Sequence, residues 1–190
     1  MGTLDTGRDA VDQAVRITGK AFYQGAVNAT KEALYDAVKD TAERRGLDPD
    51  YVLYVLLTHP RSWRDAAGRN ADALGVAREL YIAGEPKPPK KFMRPDPDEE
   101  SAVDAAIADV GRWAASEFIN LMTNTFVAVG REGAKMVRPA LSEILGEPVS
   151  ERQARNTLVE ELILRVKDHP FWFRDSITLH QLLGLMFSLT

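Results

Sequence analysis

The chain holds 190 residues, with 24 Lys and Arg against 28 Asp and Glu, a formal net charge of −4 and 45% hydrophobic residues. That balance excludes a disordered chain and a membrane-embedded one, and it offers no bulk polarity that would announce nucleic acid. Cysteine is absent, so disulfides, thiolate nucleophiles and thiolate metal sites are excluded with it. The opening residues MGTLDTGRDAVDQ carry no apolar signal core, and no apolar run approaches the ~18 residues of a membrane span. A cytoplasmic or otherwise intracellular location, without membrane contact, is the expectation.

The first predicted element is a long helix. Thr6 reads as its cap, with Asp9 three residues on. Apolar or small residues then recur in steps of three and four, from Val11, Ala14 and Val15 to Leu34, Val38 and Thr41. Arg44 and Arg45 suit the negative end of the helix dipole, and Gly46 suits the position just beyond it. About 39 residues at ~1.5 Å each give a rod of roughly 58 Å, which calls for another long helix beside it.

Asp48 and Pro49 restart the chain as cap and first helical residue. The following YVLYVLL run (Tyr51–Leu57) is apolar on every side, and its cap and neighbours favour a buried helix. His59-Pro60 ends it, because a residue before proline avoids the α region. A third helix is predicted from about Ser62 to Ala83.

Residues 85–97, EPKPPKKFMRPDP, hold five of the ten prolines. This is the one clear linker, and in polyproline geometry at ~3.1 Å per residue it spans about 40 Å. Acidic residues from Asp98 to Glu100 then open a second long helix, predicted to end where Arg138-Pro139 interrupts it. A short piece from Pro139 to Leu145 follows. Ser150 and Gln153 form a capping box for a helix through about Lys167. His169-Pro170 breaks the chain again before a last helix over roughly Phe173–Phe187. No convincing strand pair occurs.

The two halves repeat an order of features. Ala10 to Val15 followed by Gly19-Lys20 matches Ala102 to Ile107 followed by Gly111-Arg112 at an offset of 92. His59-Pro60 with Arg64-Asp65 matches His169-Pro170 with Arg174-Asp175 at an offset of 110. The difference is taken up by the extra residues after Pro139. With only three histidines in the chain, two of them in one HPxxxRD setting argue for tandem duplication. Self-similarity in fixed order usually marks units that bury their apolar faces on each other. The expected fold is therefore all-α, a bundle of long antiparallel or crossed helices made by duplicating a three-helix unit. Repeat 1 covers residues 1–84, the arm 85–98 and repeat 2 residues 99–190. Small residues, among them Ala21, Gly25, Ala29 and Ala33 in the first rod and Gly111, Ala115 and Gly130 in the second, would allow close helix contact.

No phosphate-binding glycine loop, nucleophile elbow or zinc-type spacing is present. No catalytic, cofactor-binding or metal-binding residue is therefore assigned, and no cofactor is expected. The HPxxxRD turns read as helix junctions. An enzyme built on His59, Asp65, His169 and Asp175 is the third-ranked reading. The second is a nucleic-acid-associated accessory protein. It would use Lys87, Lys90, Lys91 and Arg94 in the arm with Arg131, Lys135 and Arg138 along one helix face. The acidic residues that follow the arm would cancel much of its field.

The preferred reading is a non-catalytic interaction or assembly subunit whose partner is another protein or itself, in a homo-oligomer or larger complex. Phe171, Trp172, Phe173, Leu182, Leu185, Met186 and Phe187 make the last stretch strongly apolar and are the interface candidates. Tyr51, Tyr54, Trp63, Trp113 and Phe118 read as core.

Overall fold

Glycines and capping side chains set most of the helix ends. The computed structural model describes residues 3–87, 97–168 and 176–187. Helix α1 runs Thr3–Arg44, 42 residues in all. It starts before Thr6, so Thr6 is an interior residue and not the cap: nothing between Thr3 and Asp9 stops a helix from forming. Its other end closes as expected. Gly46 takes φ +68°, its N–H donates to Glu43 O at 3.2 Å and Leu47 N–H donates to Ala42 O at 2.8 Å. These two bonds are the Schellman closure, which needs a left-handed residue where glycine stands.

Helix α2 spans Pro49–Thr58, capped by Asp48, whose carboxylate accepts from Asp50 N–H. The Asp50 N–H to Asp48 Oδ1 distance is 2.9 Å. His59 then serves both neighbours. Its N–H donates to Val55 O, and its carbonyl accepts from Trp63 N–H. Pro60 opens α3 (Pro60–Ala67).

The single helix expected over 62–83 is broken. Gly68, at φ 57° and ψ −124°, ends α3; a 3-10 turn, Gly68–Asn70, leads into α4 (Ala71–Ala83). That backbone geometry is open to glycine and strained for other residues, which is why the break falls there.

Helix α5 runs Pro97–Trp113. One π turn over Ala114–Phe118 joins it to α6, Ile119–Leu145. The expected interruption at Pro139 does not occur: Pro139 lies inside α6. Proline removes the bond to the carbonyl four residues back. That residue, Lys135, and Pro139 itself are both exposed. The next turn is held from outside. Arg138 Nε donates to Val149 O at 2.6 Å, and Val149 N–H donates to Ser142 Oγ at 3.1 Å. Helix α6 ends at Gly146, φ +71°.

Ser150 and Gln153 form the capping box in both directions, at 3.0 and 3.1 Å, for α7, Glu151–Asp168. Helix α8 covers Ser176–Phe187. The described residues contain no strand. The fold is all-α, as the sequence led one to expect.

The chain packs as two compact units. The first comprises Met1–Gly25 with Met122–Thr190, the second Ala26–Leu121. The boundary therefore does not follow the arm at 85–98. It falls inside both long helical stretches. The burial pattern of α1 shows why one helix serves two cores. Phe22, Ala26, Thr30, Leu34 and Val38 are buried at successive steps of four. Each such step advances the buried stripe by about 40° around a helix of 3.6 residues per turn, hence about 160° over four steps. The two ends of α1 thus bury different faces.

Residues 103–134 show the same pattern. Starting from Val11 and from Val103, buried positions follow in steps of 3, 1, 3, 1, 3, 4, 4, 4, 4, 3 and 1 in both stretches. Among the described positions of α1, Val27 is the single buried residue outside the shared set; its counterpart, Ile119, is half-buried.

In the first unit, Phe22 meets Phe126 edge-on at 4.9 Å between ring centroids, and Phe126 meets Phe187 at 5.5 Å. A Cβ on Gly133 would stand 2.6 Å from Leu158 Cδ2 and closer still to Thr18 Oγ1, so only glycine admits this approach. Gly25 is nearly as tight, 3.0 Å from Thr125 Cγ2. In the second unit, α3 packs on α5 where a Gly111 Cβ would meet Ala67 Cβ and Asn70 Cβ, each at 3.4 Å. Trp63, 1% exposed, lies 3.2 Å from the Cβ position of Gly75. The expected stripe of small residues is only partly a contact face: Ala21 and Ala115 are exposed.

Candidate functional site

Only part of the residues with chemical potential is described. His59 and Asp65 lie in the second unit; His169 and Asp175, with Pro170 and Arg174, lie outside the described residues. His59 is exposed at the α2–α3 junction, its ring edge-on to Tyr54 at 5.4 Å. Its side chain makes no capping hydrogen bond. Asp65 is exposed one turn into α3. Among the described residues, no group of three or more His, Asp or Glu is placed to hold a metal ion.

Acidic charge gathers where α3 meets the start of α5. The Asp104 carboxyl is pushed above its ordinary value, first by burial and then by repulsion from Glu100 and Asp65. Tyr51 is raised by burial and by Glu100 and Glu99. Tyr81 is raised mainly by burial, with a contribution from Tyr35.

The basic candidates divide. Lys90, Lys91 and Arg94 lie outside the described residues, and Lys87 is exposed. Arg131, Lys135 and Arg138 are exposed on α6, yet two of the three are engaged. Lys135 pairs with Glu132 at 3.2 Å, and Arg138 donates to the Val149 carbonyl. Other arginines hold the units internally. In the second, Arg45 and Arg112 both bind Asp109, the former at 2.8 Å. There too Arg78 Nε and Nη2 donate to the carbonyls of Leu56 and Leu57 at 2.9 and 2.8 Å, satisfying the open end of α2. In the first, Arg165 bridges Asp12 and Glu161. The Asp12 bond is the main cause that raises the Arg165 pKa.

The apolar candidates at the chain's last helix are graded. Phe171, Trp172 and Phe173 lie outside the described residues. Leu182 is fully buried in the core of the first unit. Leu185 and Met186 are half-buried, and Phe187 is 40% exposed.

The structure adds residues the sequence reading passed over. Among the described residues, the exposed large apolar side chains are Ile17, Val127, Met136, Leu145 and Leu164 in the first unit, with Ile82 in the second and the already expected Phe187 in the first. A signal for some of them was present. Ala154, Leu158, Leu162 and Val166 form the buried row of α7 in steps of four, and Leu164 stands off that row. Met136 is likewise off the Gly133, Ala134, Val137 row of α6. No described helix is long and apolar enough to cross a membrane.

No protein-family model, no curated protein and no solved structure matches the chain.

Proposed function

We propose that the chain is a non-catalytic α-helical assembly subunit that associates with other copies of itself or with a protein partner through its first unit. The observation that carries this reading is the uneven distribution of exposed apolar side chains. Six of the seven named above sit in the first unit. Single exposed apolar residues are ordinary on any surface, whereas their concentration in one region is characteristic of interfaces. Leu145, at 60% exposure, and Leu164, at 49%, are the most open. Leu185 and Met186, half-buried, and Phe187, exposed, lie on α8, where the sequence reading expected an interface.

Size-exclusion chromatography with light scattering tests this directly. The chain at micromolar concentration is expected to exceed its monomer mass of 21.1 kDa. Leu145→Ser with Leu164→Glu is expected to return it to that mass without loss of helical circular dichroism, because these are the two most exposed of those side chains. A wild-type chain that stays monomeric at every concentration overturns self-association. If the same chain also fails to retain any protein partner through those two residues, the whole reading falls.

A further inference from the structure

We infer that the two halves of the chain are copies of one helical unit that have exchanged the leading parts of their long helices, so that each half is the other's obligate partner. Two observations made in different ways converge on this. One is the sequence match at an offset of 92, together with the burial match at the same offset over residues 11–42 and 103–134. The other is where the compact units divide. Residues up to Gly25, from the first half, pack with Met122–Thr190 of the second. Residues 97–121, from the second half, pack with Ala26–Ala83 of the first. Each core therefore draws its first rod segment from the opposite copy.

Particular contacts carry the exchange. Thr18 and Phe22 of the first half meet Leu158, Gly133 and Phe126 of the second. At the corresponding place, Gly111 of the second half meets Ala67 and Asn70 of the first. The Gly19 that corresponds to Gly111 is buried too. Two charge contacts bind opposite halves in the same sense, Asp12 with Arg165 and Asp109 with Arg45. A half-length chain would have no partner for its leading rod. It would need a second copy of itself, as exchanged elements do in swapped dimers. In the full chain the arm makes that pairing intramolecular. This inference stands on the packing within each unit and does not depend on the proposed assembly role.

Hydrogen exchange by mass spectrometry on the full chain separates this arrangement from one in which each half packs on itself. Val15 and Ile107 are both fully buried and occupy matching places, 92 residues apart. Val15→Ala is expected to speed exchange on the order of fivefold or more in α6 and α7, leaving α2–α4 unchanged. Ile107→Val, mild enough to keep the fold, is expected to speed exchange in α2–α4 and leave α7 and α8 unchanged. The response thus crosses from each half to the other. Loosening confined to the substituted half overturns the inference, as does uniform loosening of the whole chain by either substitution.

Discussion

Gly133 and Gly130 lie one turn apart on α6 and make opposite demands. A side chain at Gly133 would press into Thr18 and Leu158, whereas nothing lies within 4 Å of the Cβ position of Gly130. Gly130→Ala is expected to stabilise the chain by about 0.5–1 kcal/mol, because alanine loses less backbone freedom on entering a helix. Gly133→Ala gains the same propensity but overpacks the core, at a cost of about 1–3 kcal/mol. Denaturant unfolding of the two variants, followed by circular dichroism, checks the contrast. Thr18 shows the other side of that contact: its hydroxyl is buried with no hydrogen-bond partner among the described residues, and the closeness of Gly133 leaves no room for an acceptor side chain. At this scale the sequence was only partly legible. The glycines Gly46 and Gly146 could be read as helix ends because a left-handed turn is a local requirement. Gly111 could be read as a close-contact position but not its neighbour, Ala67, 44 residues away; Gly133 could not be read at all, because what it accommodates, Thr18, lies 115 residues away.

Helix ends carry much of the organisation between elements. Asp48, Ser150 and Gln153 cap as their spacing implies, since each cap closes within three residues. The break at Gly68 was passed over although its cause is local, a left-handed backbone that glycine permits. The continuity through Pro139 was misjudged because local propensity weighs proline alone, while bonds to the following loop support the helix beyond it. Arg138 and Ser142 hold the 146–149 loop against α6 across Pro139. Arg78 does similar work for α2. Its guanidinium, with only 15% of the side chain exposed, bonds two carbonyls at the end of that helix and stacks 5.7 Å from the Trp63 ring. Arg78→Met keeps most of the aliphatic packing and removes both bonds. It is expected to destabilise the second unit by about 1.5–3 kcal/mol, the range for hydrogen bonds to a charged group. Arg78→Lys should recover less than half of that, because a point charge cannot span both carbonyls. Thermal unfolding of the three proteins gives the comparison.

For the whole molecule, the all-α class and the long rods follow from helical periodicity and could be read without coordinates. The order of features matching at an offset of 92 is present in the sequence as well. The pairing of segments into cores could not be read there, since matching copies are equally consistent with each half folding on itself. What favours exchange is the precessing stripe of α1. Steps of four between Phe22 and Val38 rotate the buried face, so that the start and the end of the rod need different neighbours. The same rotation from Ala114 to Gly130 gives the second long stretch the same need. An assembly role draws on a separate feature, the apolar side chains left outside both buried rows, of which Leu164 is the clearest case.

Cutting the arm puts the exchanged arrangement to its most direct test. A protease site placed within residues 88–96 of the full chain allows one cleavage after folding, and native mass spectrometry then weighs the product under non-denaturing conditions. The exchanged arrangement predicts one particle containing both fragments in equal number, with the helical signal of the uncut chain retained, because neither core can lose one fragment and survive. Fragments that part from each other while each keeps its helicity would contradict it.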